Sequence, residues 1–184
     1  MADNVTVLAT RRAHDGRIVK LDVDTVRLPN GIEVELEMIR HAGAAAVVPL
    51  LSDPKTDDPH VLLIHQFRYA ADGRIWEIPA GVLEPGEDPV DCARRELTEE
   101  TGAVASHVEH MTTIYTTPGF TDERIHLFLA WGISMGEARP EHDELIDVRP
   151  FPMSEIMKMI RDGEIVDGKS MVALLYLAGF RLDW

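Results

Sequence analysis

Three glutamates close together in the sequence, Glu96, Glu99 and Glu100, are the side chains best suited to chemistry in this chain. On a helix, which turns by about 100° per residue, their carboxylates crowd into an arc of roughly 100°. Like charges at this spacing repel each other and destabilise a helix. A hard cation such as Mg²⁺ or Mn²⁺ takes oxygen ligands and would offset the repulsion. The spacing therefore indicates a metal site, and a solvated acidic helix face is the alternative interpretation.

Signals on both sides of the glutamates predict the helix that would carry them. Pro89 suits the first turn of a helix, Asp88 before it suits the N-cap, and Gly102 suits the residue after the last turn. The residues that fall on the neighbouring arc can face a core; they are Val90, Ala93, Leu97 and Thr101. One side of the predicted helix is therefore available for packing and the other for ligands.

A wider frame of fixed spacings surrounds these glutamates. The pattern is G-x5-E-x7-R-E-U-x-E-E-x-G-U, where U is a bulky apolar residue, and it is filled by Gly81, Glu87, Arg95, Glu96, Glu99, Glu100 and Gly102. It resembles the signature of the Nudix hydrolases, enzymes that cut nucleoside diphosphates linked to another group. Ala103 occupies the last U position and is small, which weakens a packing contact but removes no chemical group.

The resemblance extends from about His41 to the C-terminal helix and narrows to the ADP-ribose pyrophosphatase group. The segment RIWEIPAGVLEPGE matches that group, and Pro118 is similar to its marker proline. The resemblance implies an α/β fold, the Nudix α/β/α sandwich, and Mg²⁺-dependent hydrolysis of ADP-ribose to AMP and ribose 5-phosphate. The alternatives are a diphosphatase for another nucleotide sugar, such as GDP-mannose or UDP-glucose, or a non-catalytic module that senses ADP-ribose.

The resemblance also implies a ligand set for Mg²⁺, with Mn²⁺ as an alternative ion. The ligands would be the Ala80 backbone carbonyl and the carboxylates of Glu96, Glu99 and Glu100. Arg95 would hold these carboxylates in place by charge-assisted hydrogen bonds, with Glu87 in a structural role.

Substrate contacts and the general base follow from the same resemblance. Arg68 would grip the diphosphate with its planar fork, and the loop with Pro118 and Glu123 would lie near the substrate. The base is expected in the segment 137–148, where Glu144 aligns best and Glu141 and Asp143 remain alternatives on the same loop.

Two regions are predicted along the chain. Residues 1–40 form an antiparallel β-meander, with hairpin signals at Asp15-Gly16 and Asn30-Gly31. Three short strands with few large apolar residues form a poor core alone, and the segment is similar to the strand-exchanging extension of the group's dimers, which implies a homodimer. Residues 41–184 form the Nudix hydrolase domain. Its strands are expected at 44–51, 61–67, 75–78, 107–116 and 125–133, and its later helices at 154–161 and 169–180.

Composition limits the partners and the compartment. The net charge of −14, from 32 acidic and 18 basic residues, argues against binding long nucleic acid, but a small nucleoside diphosphate sugar stays compatible when a metal supplies local positive charge. The single cysteine, Cys92, excludes an internal disulfide and fits a reducing compartment. The N-terminal residues lack a signal-peptide pattern, and the longest apolar run is about half a membrane span. We therefore expect a cytoplasmic protein without membrane contact.

Overall fold

The computed structural model describes residues 4–139 and 145–182. The chain divides into two compact units, of which the first combines the residues up to Gly43 with the loop 115–124. The second unit comprises 44–114 and the residues from 125 onwards. In the described part of the chain, no helix is both long enough and apolar enough to cross a membrane.

The first unit contains the predicted meander. Its strands are β1 (Thr6–Asp15), β2 (Lys20–Arg27) and β3 (Glu33–Arg40), in the antiparallel order β1-β2-β3. The first turn closes where Gly16 N donates to Val19 O at 2.9 Å. The second turn contains Gly31 at φ 83°, a left-handed conformation that glycine adopts without steric cost. Both turns therefore form at the dipeptides that the sequence indicates.

Ion pairs between charged side chains, more than apolar packing, connect the strands of this unit. Arg40 contacts Asp22 at 3.2 Å, Asp122 at 3.3 Å and also Asp24. The carboxylates of Asp22 and Asp24 are buried, whereas Val26 is the one buried hydrophobic residue among the described residues of this unit. The meander is thus held by ion pairs, as its shortage of large apolar residues suggests.

Within its described residues, the second unit contains seven strands, three helices and one short 3₁₀ turn. The strands are β4 (Ala44–Pro49), β5 (His60–Arg68), β6 (Gly73–Glu77), β7 (Ala80–Val82), β8 (Ala103–Tyr115), β9 (Arg124–Met135) and β10 (Ile146–Pro152). The helices are α1 (Pro89–Thr101), α2 (Met153–Arg161) and α3 (Gly168–Phe180), and the 3₁₀ turn spans Tyr69–Ala71. The strands form two sheets, ordered β7-β4-β9-β8 and β10-β5-β6. Strand β7 was not predicted, because three residues are too few to show alternation.

Helices cover both faces of these sheets. Ala46 and Val48 of β4 belong to the core cluster that includes residues of α2 and α3, such as Ile156 and Leu174. The intervening Val47 belongs to a second cluster with residues of α1. Because successive strand residues point to opposite faces, this alternation confirms the predicted α/β/α sandwich.

Candidate active site

Helix α1 begins and ends at the residues that the sequence indicates. The Asp88 side chain accepts a hydrogen bond from Val90 N at 3.1 Å, which caps the first turn. Gly102 ends the helix at φ 73°, and a Cβ atom there would lie 2.7 Å from Ala138 N. Both the backbone conformation and the close approach of the segment after β9 therefore require glycine at this position.

Arg95 is the hub of the carboxylate cluster on α1. Its Nε and Nη2 donate to the two carboxylate oxygens of Glu87 at 2.9 and 3.0 Å. Its Nη1 donates to Glu96 at 2.6 Å and to Glu99 at 3.1 Å. These hydrogen bonds raise the pKa of Arg95, and the bonds from Arg95 are the main reason that the pKa of Glu87 falls to about 2. Arg95 thus joins two of the three predicted carboxylate ligands to Glu87.

Strand β7 lies directly against the glutamates. Ala80 N donates to Glu100 Oε2 at 3.0 Å. At the next residue, a Cβ atom at position 81 would lie only 1.8 Å from Glu96 Oε1. Gly81 therefore leaves the space that the Glu96 carboxylate fills. Glu96 and Glu100 are buried, whereas the Glu99 side chain is 45% exposed.

The donor set fits a hard divalent cation, although the carboxylates point to other partners in this structure. Among residues 4–139 and 145–182, no three His, Cys, Asp or Glu side chains are arranged to hold a metal ion as they stand. Arg95 contacts Glu96 and Glu99, and Ala80 N contacts Glu100. The three side chains still offer only oxygen donors from one helix stripe, which is the ligand type that Mg²⁺ and Mn²⁺ prefer.

Arg68 is held by partners that the sequence did not reveal. Its Nε and Nη2 donate to the two oxygens of Glu77 at 2.7 and 3.0 Å. Glu77 Oε2 also accepts from Lys169, whose ammonium lies 3.0 Å from Asp167 Oδ2. The pKa of Arg68 is raised by the hydrogen bonds to Glu77 and, more weakly, by the charge of Glu100. Burial raises the pKa of Glu77, but the bonds from the two cations outweigh it and leave the pKa below its ordinary value.

A cavity of about 380 Å³ lies beside this group; its lining includes Arg68, Glu77, Asp167 and Lys169. The sequence carried one signal for Glu77, because a charged residue between Ile75, Trp76 and Ile78 interrupts a buried strand and needs a partner. Lys169 carried none, since a polar residue in the first turn of a helix is ordinary.

The expected base residues Glu141, Asp143 and Glu144 lie outside the described residues, but both neighbouring segments are anchored. On one side, Gly136 N donates to Gly102 O at 2.7 Å, and Arg139 N donates to Glu99 O at 2.8 Å. On the other side, Phe67 N donates to Leu145 O at 3.3 Å. The described chain therefore stops beside the last turn of α1 and resumes beside the strand that carries Arg68.

Residues 41–173 match the NUDIX domain family, which is 133 of 184 residues. This chain belongs to the NUDIX family. Its α1 is the Nudix helix, and the predicted membership is confirmed.

Sequence similarity to known proteins extends over nearly the whole chain. A protein of Bacillus methanolicus named methanol dehydrogenase activator is 40% identical over 92% of this chain and 90% of its own length. ADP-ribose pyrophosphatase of Bacillus subtilis (strain 168) is 38% identical over the same shares of both chains. The ADP-ribose pyrophosphatase of Mycobacterium tuberculosis is 33% identical over 91% of this chain and 80% of its own length. The predicted likeness to the ADP-ribose pyrophosphatase group is therefore confirmed.

A solved structure supports the fold. The crystal structure of an ADP compounds hydrolase superposes with a TM-score of 0.79 at 20% sequence identity, covering 95% of this chain and 92% of that one. At this identity the likeness concerns the fold alone, and it confirms the Nudix α/β/α architecture.

The loop with Pro118 and Glu123 belongs to the first unit. Glu123 Oε2 accepts a hydrogen bond from Thr116 Oγ1 at 2.7 Å, and Glu123 Oε1 lies 3.6 Å from His41 Nε2. Pro118 lies within a turn that closes by a 3.1 Å hydrogen bond from Phe120 N to Thr117 O.

Cys92 lies on the buried side of the Nudix helix and contacts Arg95 Nη2 at 3.4 Å. Burial of the thiol is the main reason that its pKa is raised to about 12. Because only the thiolate is a strong nucleophile, Cys92 has a packing role.

Proposed function

We propose that this protein hydrolyses the diphosphate of ADP-ribose to AMP and ribose 5-phosphate. The observation that carries the proposal is the intact cluster on α1, where Arg95 joins Glu96, Glu99 and Glu87 and where Gly81 leaves room for Glu96. Relatives named ADP-ribose pyrophosphatase, 38% and 33% identical over more than nine tenths of the chain, support ADP-ribose as the substrate.

The proposed cofactor is Mg²⁺, with Mn²⁺ as an alternative. Its ligands would be Glu96, Glu99, Glu100 and the backbone carbonyl of Ala80. Bound in this position, the ion supplies positive charge that stabilises the charge building on the diphosphate oxygens. Glu99 is the most exposed of the three side chains and has the greatest freedom to exchange Arg95 for a cation.

The remaining chemistry belongs to the chain itself. In the reaction, a water oxygen bonds to one phosphorus, and the bridging P–O bond breaks with its electron pair on the departing phosphate. The proton of the water passes to a loop carboxylate, for which we propose Glu144, with Glu141 and Asp143 as alternatives. Support comes from the two anchors of this loop, Arg139 at the Nudix helix and Leu145 beside Phe67.

Arg68 is the proposed residue that grips the diphosphate. A guanidinium has five N–H donors, and contacts within the described part of the chain use two of them on Glu77. Three donors and a side chain that is 42% exposed remain for a ligand. Pro118 and Glu123 are proposed as further substrate contacts, on the resemblance alone.

The proposed assembly is a homodimer whose active sites borrow N-terminal residues from the partner. Every residue of β1 is exposed, and Val7 and Leu8 leave 58% and 42% of their surfaces uncovered, which a partner would bury. Light scattering at micromolar concentration should give twice the monomer mass, whereas a fully active monomer would contradict the proposal. A cytoplasmic location is proposed from the free Cys92.

The substrate is tested with a panel of nucleotide sugars in the presence of Mg²⁺, with each product identified. The highest kcat/KM is expected for ADP-ribose. A higher value for GDP-mannose or UDP-glucose would transfer the assignment to the alternative diphosphatase. A GDP-mannose pyrophosphatase of Enterobacter, which is 35% identical to this chain, supports testing that alternative. No turnover of any compound, with tight binding of ADP-ribose, would indicate the non-catalytic sensor.

A second candidate function is the activation of methanol dehydrogenase. It is suggested by the relative that is 40% identical, which is named methanol dehydrogenase activator. The test adds this protein to methanol dehydrogenase and compares it with its Glu100→Gln variant. Activation by the wild type would support this role, and its loss in the variant would show that the role needs the carboxylate cluster.

A further inference from the structure

We propose that Lys169 is a positioning residue that fixes the orientation of Arg68 through Glu77. The first turn of α3 thereby determines how the Arg68 guanidinium is presented to the diphosphate. The inference rests on the proposed function, because it concerns the same substrate contact. Lys169 itself need not touch the substrate.

Glu77 is a buried carboxylate. Its side chain is only 2% exposed, and a carboxylate removed from water needs charged or hydrogen-bonding partners. Arg68 supplies two hydrogen bonds and Lys169 a third, and both cations share the oxygen Oε2. The orientation of this carboxylate therefore depends on both cations at once.

Arg68 is oriented by its contact with Glu77. Its guanidinium binds Glu77 through Nε and Nη2. Because the group is planar and rigid, a bidentate contact along one edge fixes the direction of the other N–H donors. A rotation of the Glu77 carboxylate would therefore also turn the N–H donors of Arg68 that Glu77 does not use; Arg68 lines the cavity. The orientation of the Arg68 guanidinium thus depends on Glu77.

Helix α3 is attached to the end of β6 by side-chain hydrogen bonds. Ile78 N donates to Ser170 Oγ at 2.8 Å, and the Ser170 hydroxyl donates to Asp167 Oδ2 at 2.6 Å. Two adjacent residues of the chain after Trp76, Glu77 and Ile78, are therefore tied to two adjacent residues of α3, Lys169 and Ser170. This double attachment fixes the helix turn relative to the carboxylate.

The charges of this group balance. Two cations, Arg68 and Lys169, face two carboxylates, Glu77 and Asp167. Lys169 is held between both carboxylates, and its side chain is only 13% exposed. Two carboxylates offset the charge of the Lys169 ammonium, and burial restricts its side chain. This favours a positioning role for Lys169 over direct binding of a phosphate.

The test is a double-mutant cycle between Lys169 and Arg68, with steady-state kinetics on ADP-ribose. Lys169→Met should lower kcat/KM by roughly 10–100-fold, mostly through a higher KM, because small displacements of a substrate contact are costly. Lys169→Arg keeps the charge and the hydrogen-bond donors, and it should recover most of this loss. In the Arg68→Met background, Lys169→Met should cost less than about threefold.

The matched control is Arg74→Met on β6, the strand that also carries Glu77. Arg74 pairs with the exposed Asp147 at 2.8 Å, so kcat/KM should stay within about twofold of the wild type. A merely structural role for Lys169 would reduce the active fraction and hence the apparent kcat, and it would leave KM unchanged. If Lys169→Met does not fold, Lys169→Gln keeps a donor without the charge and takes its place in the cycle.

Two results would overturn the inference. Kinetics of Lys169→Met within twofold of the wild type would mean that Arg68 does not need this lysine. Independent losses that multiply in the double variant would mean that Lys169 acts on the substrate directly. If the wild type prefers another nucleotide sugar, the proposed substrate fails, but the cycle run on that compound still tests the coupling of the two cations.

Discussion

Gly81 and Glu96 are in such close contact that a side chain at position 81 would have to displace the Glu96 carboxylate: a Cβ atom there would lie 1.8 Å from Glu96 Oε1. The first glycine of the Nudix signature thus has a steric reason in this protein. The strand β7 presses its backbone onto the carboxylates of α1, and Ala80 N completes the contact by binding Glu100.

Gly81→Ala should therefore impair the site without unfolding the protein. The new methyl group has to displace the Glu96 carboxylate, which also accepts from Arg95 at 2.6 Å. We expect kcat/KM for ADP-ribose to fall by roughly 10²-fold, as for other displacements of about 1 Å at an active site, with a weaker affinity for Mg²⁺. Isothermal titration with Mg²⁺ and kinetics measure both quantities. Gly179→Ala provides a control, because Gly179 also lacks a positive φ and a Cβ atom there would meet no neighbouring atom within 4 Å; unchanged kinetics in Gly81→Ala would refute the steric account.

The Glu87–Arg95 pair predicts a defined dependence of stability on pH. The folded-state pKa of Glu87 is about 2, whereas its ordinary value is 4.5. Since folding lowers this pKa, the carboxylate stabilises the protein fully above about pH 4.5, and the contribution disappears as the pH falls towards 2. The free energy of unfolding of the wild type should therefore decrease more steeply between pH 4.5 and 2 than that of Glu87→Gln. Urea unfolding at several pH values checks this; parallel pH profiles for the two proteins would contradict the pairing.

The proposed base predicts a difference between two loop carboxylates. Loss of a positioned base typically removes about 10²–10⁴-fold in rate. Glu144→Gln should lower kcat by this factor while KM and Mg²⁺ affinity stay nearly unchanged, and Glu141→Gln should have a mild effect. Single-turnover kinetics on both variants separate chemistry from binding. A large loss at Glu141 with a mild one at Glu144 would move the base to Glu141; mild losses at both would place the proton acceptor elsewhere.

The sequence allowed the Nudix helix to be predicted almost residue by residue, because its signals are local. Asp88 caps the helix and Gly102 ends it, as turn chemistry indicates. The same holds for the meander, where the dipeptides at Asp15-Gly16 and Asn30-Gly31 set both turns. Family, fold class and the cluster on one helix could therefore be inferred from one sequence.

Contacts between distant segments could not be predicted in this way. Lys169 reaches Glu77 across 92 positions of the chain, and no local pattern marks which carboxylate a helix lysine will meet. The positions of Pro118 and Glu123 in a unit with the N-terminal strands also depend on tertiary packing. The short strand β7 has the same cause, because its three residues are defined by pairing with β4 and not by their own periodicity.

Hydrolysis of ADP-ribose at the carboxylate cluster on α1 is tested most directly by following both products with the wild type and with Glu100→Gln. This substitution keeps the size of the side chain and an acceptor for Ala80 N, but it removes a charged ligand. With Mg²⁺, the wild type should form AMP and ribose 5-phosphate in equal amounts. Metal stabilisation of several kcal/mol, at about 1.4 kcal/mol per decade, predicts a loss of roughly 10²–10⁴-fold in the folded variant. Turnover by Glu100→Gln within threefold of the wild type, or no AMP from the wild type, would contradict the account.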